Sequence, residues 1–288
     1  MKRKWIPFVL LVPFLGITGL VLLSVWNVLI QSLGYIPAFG LTELTVSYYK
    51  NIFSNPDFIR SLTVSLRIAL QSAAAACIGG VAVATALIKL KKTRGGAVNL
   101  VRFPILVPHA VVGVFMIQLL GQTGLIARLG YAMGLLEDFH EFPQLLYTPG
   151  YGGTIFAYLW KEIPFVAYFV MAFMGSISET LGEAAENLGA SPVRSFFQVT
   201  LPLSVPVIGR AFLIIFIFAF GGYELPLLLG VTLPKALPVQ AYLAYMNPEL
   251  KLRPVAMAMN GVILMLSLAM AALYWLLIRR ASRKLGVR

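Results

Sequence analysis

Six stretches of some two dozen mostly apolar residues recur along this chain, and that recurrence constrains the fold more than any other feature. A helix crossing the hydrocarbon of a bilayer needs about 20 such residues at about 1.5 Å each. The windows fall at about 6–31, 61–88, 98–120, 152–176, 206–232 and 254–279. Only 12% of the residues are charged and 59% are hydrophobic, against about a quarter charged in a soluble domain. The expected fold class is an all-α integral membrane protein with six transmembrane helices, forming one transmembrane domain over residues 1–288. The opening "MKRKW" and the apolar run behind it have the flavour of a signal peptide. The run is too long for one and ends in no small-residue cleavage site, so it is taken as a retained first helix.

Charge placement sets the expected orientation. Lys2, Arg3, Lys4, Lys89, Lys91, Lys92, Arg94, Arg102, Arg194, Arg210, Arg279, Arg280, Arg283, Lys284 and Arg288 fall on or beside one side of the six windows. Glu43, Asp57, Glu137, Asp138, Glu141 and Glu249 fall on the other. Basic residues mark cytoplasmic loops, so both termini and the 177–205 segment are expected in the cytoplasm. The net charge of +12 then needs no nucleic acid to explain it. The chain is expected in a bacterial or archaeal cytoplasmic (inner) membrane.

Several chemistries are unsupported. There is no G-x-x-x-x-G-K-[ST] loop, no H-E-x-x-H and no G-x-S-x-G. His109 and His140 sit on opposite sides of the expected topology, and the single Cys77 lies in an alanine run. No metal site, no cofactor on this chain and no enzyme are expected. Within the second window, Ala76, Gly80 and Ala84 are four apart, a face on which helices approach closely in lipid. Packing inside one subunit is the favoured use of that face.

The polar segment "SETLGEAAENLGASPVRSFFQVTLP", residues 178–202, stands out between two apolar windows. Glu179 to Leu188 is helix-forming, with Ala184, Ala185 and Leu188 on roughly one side. Gly189 suits a helix C-terminus that needs positive φ. Ser191 and Pro192 suit an N-cap and first helical position. A second short helix carries Val193, Phe196, Phe197 and Val199 and is expected to end at Leu201-Pro202. The local reading is a helix–turn–helix facing the cytoplasm, with a shallow alanine surface that takes either another protein or the chain's own bundle.

The same residues resemble the EAA loop of permease subunits from binding-protein-dependent ABC importers. That pattern is E-A-A, three residues, G, nine residues, I, one residue, L-P. Here it reads Glu183, Ala184, Ala185, Gly189, Val199, Leu201 and Pro202, with valine in place of isoleucine. The resemblance implies that these residues form cytoplasmic coupling helices between spans four and five, docking on a separate ATP-binding cassette subunit. It implies Glu183 as a charged contact and Gly189 as a turn into which nothing larger fits. It also implies two ATPase subunits holding ATP and magnesium, a second permease chain, identical or related, and an external solute-binding protein.

Ionisable residues inside spans are costly and default to functional candidates. Arg67, Lys161, Glu162 and Glu224 are four, and counting from the outer ends gives them a similar depth. Gly221, Gly222 and Pro226 loosen the helix around Tyr223 and Glu224, as at binding sites built on broken helices. Either Tyr223 and Glu224 line a translocation path, or Glu224 pairs with Lys161 or Arg67 to hold the bundle. His109 is read as a hydrogen-bonded packing residue rather than a proton relay.

Together these give a six-span permease of an ABC importer, carrying a small hydrophilic solute. Stretches such as "GGYELPLLLG" and "VPHAVVGV" resemble the branch for polyamines, sulfate, molybdate, iron and phosphonates. A pathway carboxylate leans the substrate towards a polyamine, while Arg67 and Lys161 speak for an anion. The alternatives are a secondary transporter or channel using the buried charges without ATP, and a membrane scaffold.

Overall fold

The structure is a computed structural model that describes residues 6–93 and 95–284. Of the expected cytoplasmic charges, Lys2, Arg3, Lys4, Arg94 and Arg288 lie outside the described residues, as do the side chains of Arg283 and Lys284. The backbone is helical almost throughout, with one isolated bridge between Ile36 and Leu41. In chain order the helices are α1 (Ile6–Ser32), α2 (Ser47–Ser54), α3 (Pro56–Lys89), α4 (Gly96–Leu106), α5 (His109–Leu120), α6 (Leu125–Ala132) and α7 (Gly152–Ile177). There follow α8 (Glu183–Asn187), α9 (Pro192–Ser195), α10 (Leu201–Gly221), α11 (Glu224–Leu229), α12 (Leu237–Tyr245) and α13 (Arg253–Lys284).

Six helical stretches among the described residues are long and apolar enough to cross a membrane: Leu11–Ser32, Pro56–Lys89, His109–Ala132, Gly152–Asn187, Pro192–Gly221 and Leu250–Arg280. Four overlap the windows read from the sequence, with ends up to five residues away, except that the fourth stretch runs on from the expected 176 to Asn187. Two are corrected. The window at 98–120 is broken at Val107–Pro108 into α4 and α5. Pro108 has no N–H to continue the ladder and pushes Val107 out of the helical region, to ψ 127. The window at 206–232 starts too late and ends too late. Its helix begins at Leu201 in continuity with the preceding segment, and ends at Gly221, ahead of a separate α11.

The chain divides into two compact units. One comprises Met1–Ile59 and Gln240–Met265, the other Arg60–Val239 and Leu266–Arg288. In the first, the Tyr49 hydroxyl donates to Ser32 Oγ at 2.8 Å, and Arg253 lies over the Tyr245 ring at 4.1 Å. The second unit carries the candidate sites. Its core is the packing of α7 against α3, α4 and α10. Ala76 and Ala84 are fully buried, and a Cβ on Gly80 would lie 2.4 Å from Val166 Cβ on α7. The small-residue face of α3 is thus spent inside the subunit, where backbone approach replaces the hydrophobic effect as the source of helix association in lipid. Gly113 plays the same part between α5 and α11, where a Cβ would meet Leu228 at 2.5 Å.

Candidate functional site

The α8–α9 hairpin begins without a pause in α7. Beyond Ile177 the backbone widens into a π-helical turn, Ser178–Gly182, and then tightens into α8. Gly189, at φ +94, ends it. The Gly189 N–H donates to the Glu186 carbonyl at 2.9 Å and the Ala190 N–H to the Ala185 carbonyl at 3.0 Å, the paired bonds of a Schellman cap. Ser191 then accepts the Arg194 N–H on its side chain, with Pro192 in the first turn of α9.

Two sequence readings are corrected here. The second helix does not stop at Leu201-Pro202. It passes through another π-helical turn, Phe196–Thr200, straight into α10, and Pro202 lies within that continuous run, directly after the widened turn. Nor is Gly189 crowded, because a Cβ there would meet nothing within 4 Å. What demands glycine is the positive φ.

The two π turns face each other. The Ser195 hydroxyl, almost fully buried, donates to the Gly182 carbonyl at 3.0 Å. A Cβ on Gly182 would sit in ordinary contact, 3.4–3.6 Å, with the Ser178, Ser195 and Thr200 hydroxyls. The tip of the hairpin is apolar and bare. Leu188 is 90% exposed, Val193 61% and Phe197 60%. Glu183, Ala184, Gly189 and Pro202 are also exposed, while Ala185, Val199 and Leu201 are half-buried. Between the hairpin and the end of α3 lies an open recess of about 680 Å³, lined among others by Lys89, Lys91, Glu179, Glu183 and Glu186. The exposure of Leu188 and the two π turns were not legible from the motif. Helical periodicity carries no mark of a widened turn, and it grouped Leu188 with the alanines.

The second cluster lies at the breaks in α4–α5 and α10–α11. Lys161 and Glu162, on α7, are buried. The Lys161 ammonium donates to the Val107 carbonyl, the exposed end of α4, and lies 3.4 Å from His109 Nδ1. The His109 ring packs on Phe218 of α10 with centroids 4.9 Å apart. Glu224 is exposed and forms no ion pair among the described residues. Arg67 is exposed too and donates to the Gly150 carbonyl at 3.3 Å, away from that cluster. The structure therefore brings Lys161 and Glu162 together with His109, and does not pair Glu224 with either Lys161 or Arg67.

Tyr223 and Glu224 stand where expected, at a helix break. Gly222 is extended and α11 starts at Glu224. Gly222 also admits the buried Tyr158 hydroxyl, which a Cβ would meet at 2.7 Å. An open recess of about 280 Å³ results, walled by His109, Tyr158, Phe218, Tyr223 and Glu224. Farther out, Tyr147 and Tyr151 both hold positive φ. The Tyr147 N–H donates to the Leu229 carbonyl, pinning the end of α11, and the Tyr151 hydroxyl donates to the Pro234 carbonyl at 2.7 Å. The sequence reading missed His109 as the partner of Lys161. The signal was Pro108, which frees a carbonyl that some donor must satisfy.

Among known proteins, residues 76–283 match the family model described as binding-protein-dependent transport system inner membrane component. The sn-glycerol-3-phosphate transport system permease protein UgpA of Yersinia pseudotuberculosis is 29% identical over 228 residues, covering 75% of this chain and 74% of that one. The UgpA of Pectobacterium atrosepticum is 26% identical over 229 residues, at 76% and 74% coverage. A chain of a bacterial ABC transporter involved in the import of the acidic polysaccharide alginate superposes with a TM-score of 0.75 at 20% identity, covering 97% of this chain and 96% of that one. A chain of the MetNI methionine ABC transporter does so at 0.56 and 19%, covering 77% and 94%. Those two likenesses establish the fold. The chain belongs to the binding-protein-dependent transport system inner membrane component family, and is a multi-pass inner-membrane permease of an ABC importer.

Proposed function

We propose that the α8–α9 hairpin is the surface through which an ATP-binding cassette subunit drives this permease. The observation that carries the reading is the bare apolar tip: Leu188 is 90% exposed on a helix end with fixed geometry. A soluble-facing leucine so presented, beside Val193 and Phe197, is an anchor for a groove on another protein. Glu183, Ala184, Ala185, Gly189, Val199, Leu201 and Pro202 shape and flank it. ATP and magnesium belong to the partner. Closure of two such partners would pull the hairpins together, and the continuous backbone from α7 through the π turns to α10 would carry the motion into the membrane.

In this reading Tyr223 and Glu224 line the translocation path at the break in span five. Lys161, Glu162 and Arg67 stand near the path and hold its walls. A second permease chain completes the pathway, and an external solute-binding protein delivers the solute. The solute is small and hydrophilic. Relatives are named for sn-glycerol-3-phosphate and ferric transport, which supports a polyol phosphate or iron class over a polyamine. No observation favours a secondary transporter or a scaffold.

Tagged chain purified in mild detergent, beside Leu188→Glu, tests the coupling reading. An ATPase subunit should accompany the wild type and be missing from a folded variant. Equal recovery of the ATPase by both contradicts it.

A further inference from the structure

We infer that α6 lies in the plane of the bilayer surface opposite the α8–α9 hairpin, with Leu125, Ile126, Leu129 and Met133 in the apolar margin of that leaflet. The partner of this face is lipid, not another protein chain.

The argument begins with where the helix stands. The chain leaves the hairpin side after α3, where Lys89, Lys91 and Thr93 share a recess with Glu179, Glu183 and Glu186. From there α4 and α5, of 11 and 12 residues, can rise about 35 Å at about 1.5 Å per residue. The hydrocarbon of a bilayer is about 30 Å thick, so the crossing is complete where α5 ends. The exposed side chains of α5 agree, being apolar at Val111, Val114 and Phe115 and polar at Gln118. Gly121 and Gly124 are both extended between the two helices, so α6 does not prolong the axis of α5.

The faces of α6 then divide into three. Successive residues of a helix stand about 100° apart. Ala127 and Gly130 fall on one side, and they are the parts turned to the protein: Ala127 is buried and Gly130 half-buried. A Cβ on Gly130 would meet the Leu136 side chain at 2.9 Å. Leu125, Leu129, Met133 and Ile126 follow one another round an arc of about 100°, and all four are exposed. Arg128 and Tyr131 take the remaining side and are exposed as well. Acidic side chains enter only at Glu137 and Asp138, after Gly134 at φ +71 has ended the turn.

A helix in water would hold four large apolar side chains bare for no return. A helix covered by a second protein needs two kinds of face, one for each neighbour. A helix in the membrane plane needs three, for protein, hydrocarbon and water, and α6 has three. Arg128 and Tyr131 suit the headgroup level, where a long cation and an amphipathic ring reach water from an apolar base. The pattern is that of an interfacial amphipathic helix.

Spin labelling tests the placement in the assembled transporter, in vesicles of phosphatidylethanolamine and phosphatidylglycerol, with the partner subunits freed of reactive cysteines. Leu129→Cys and Arg128→Cys each carry one nitroxide, because Cys77 is buried. Collisions with oxygen, which concentrates in hydrocarbon, are compared with collisions with a water-soluble nickel chelate. Oxygen should dominate at 129, and the ratio should fall several-fold at 128. Ile126→Cys should behave as Leu129→Cys does, and serves in its place if that variant fails to assemble. Dominant nickel collisions at 126 and 129 put the arc in water and overturn the inference. Few collisions with either reagent mean that a second permease chain or a binding protein covers the arc, which overturns it too. Oxygen dominance at 128 as well as 129 sinks the helix wholly into the bilayer and overturns the in-plane placement.

Discussion

Lys161 of α7 donates its ammonium to the main-chain carbonyl of Val107, where α4 ends and α5 begins. One side chain thereby satisfies a carbonyl at the break that Pro108 makes in the helix. Lys161→Met should leave that carbonyl unpaired and cost about 1–3 kcal/mol. A thermal melt of the detergent-purified chain should fall by several degrees. An unchanged melt removes the role assigned to this contact.

Close approach of α3 and α7 depends on Gly80. Gly80→Val should drive a side chain into Val166 and lower stability by about 1–3 kcal/mol, the usual cost of overpacking. Gly175→Ala on the same α7 meets nothing within 4 Å and should leave the melt unchanged or slightly raised. Equal behaviour of the two variants contradicts the packing argument.

At Gly189 the demand is conformational. Gly189→Ala should cost about 1–2 kcal/mol for holding φ +94 with a Cβ, and Gly189→Asn less, because asparagine tolerates the left-handed region. In proteoliposomes containing the assembled transporter, ATP-driven uptake should follow the order glycine, asparagine, alanine. If asparagine is as damaging as alanine, side-chain bulk matters after all and the open space around Gly189 is misread.

Glu224 and Tyr223 should be reachable from water. Singly introduced Glu224→Cys and Tyr223→Cys should react with a membrane-impermeant maleimide, whereas Cys77, buried in α3, should not. Labelling of neither position would contradict their placement on the pathway.

Much of this architecture was legible in the sequence for simple reasons. Length and apolarity fix a span, so Ile6–Ser32 was found almost to the residue and the start of Arg253–Lys284 likewise, its end falling five residues beyond the expected 279. Positive φ leaves a glycine, so Gly189 was readable, and two glycines before a proline marked the gap ahead of Glu224. Other features were not. Pro108 was visible, yet hydropathy ran on across it and hid the break. The π turns at Ser178–Gly182 and Phe196–Thr200 are bridged by the bond from Ser195 to Gly182, two residues 13 apart whose meeting no local pattern announces. Counting depth along helices placed Arg67 with Lys161. It could not foresee that Arg67 would bond to the Gly150 carbonyl.

The most direct measurement uses the chain's single native cysteine to advantage. Because Cys77 is buried, Leu188→Cys gives one reactive thiol at the tip of the hairpin. Membranes holding the assembled transporter would be treated with a short maleimide–benzophenone, which attaches to the thiol and on illumination inserts into C–H bonds of whatever lies beside it, and the products identified by mass. A cross-link from position 188 to an ATP-binding cassette subunit, altered in yield by ATP, is the predicted result. A thiol that labels freely yet joins no ATPase, with and without nucleotide, would contradict the coupling role of the hairpin.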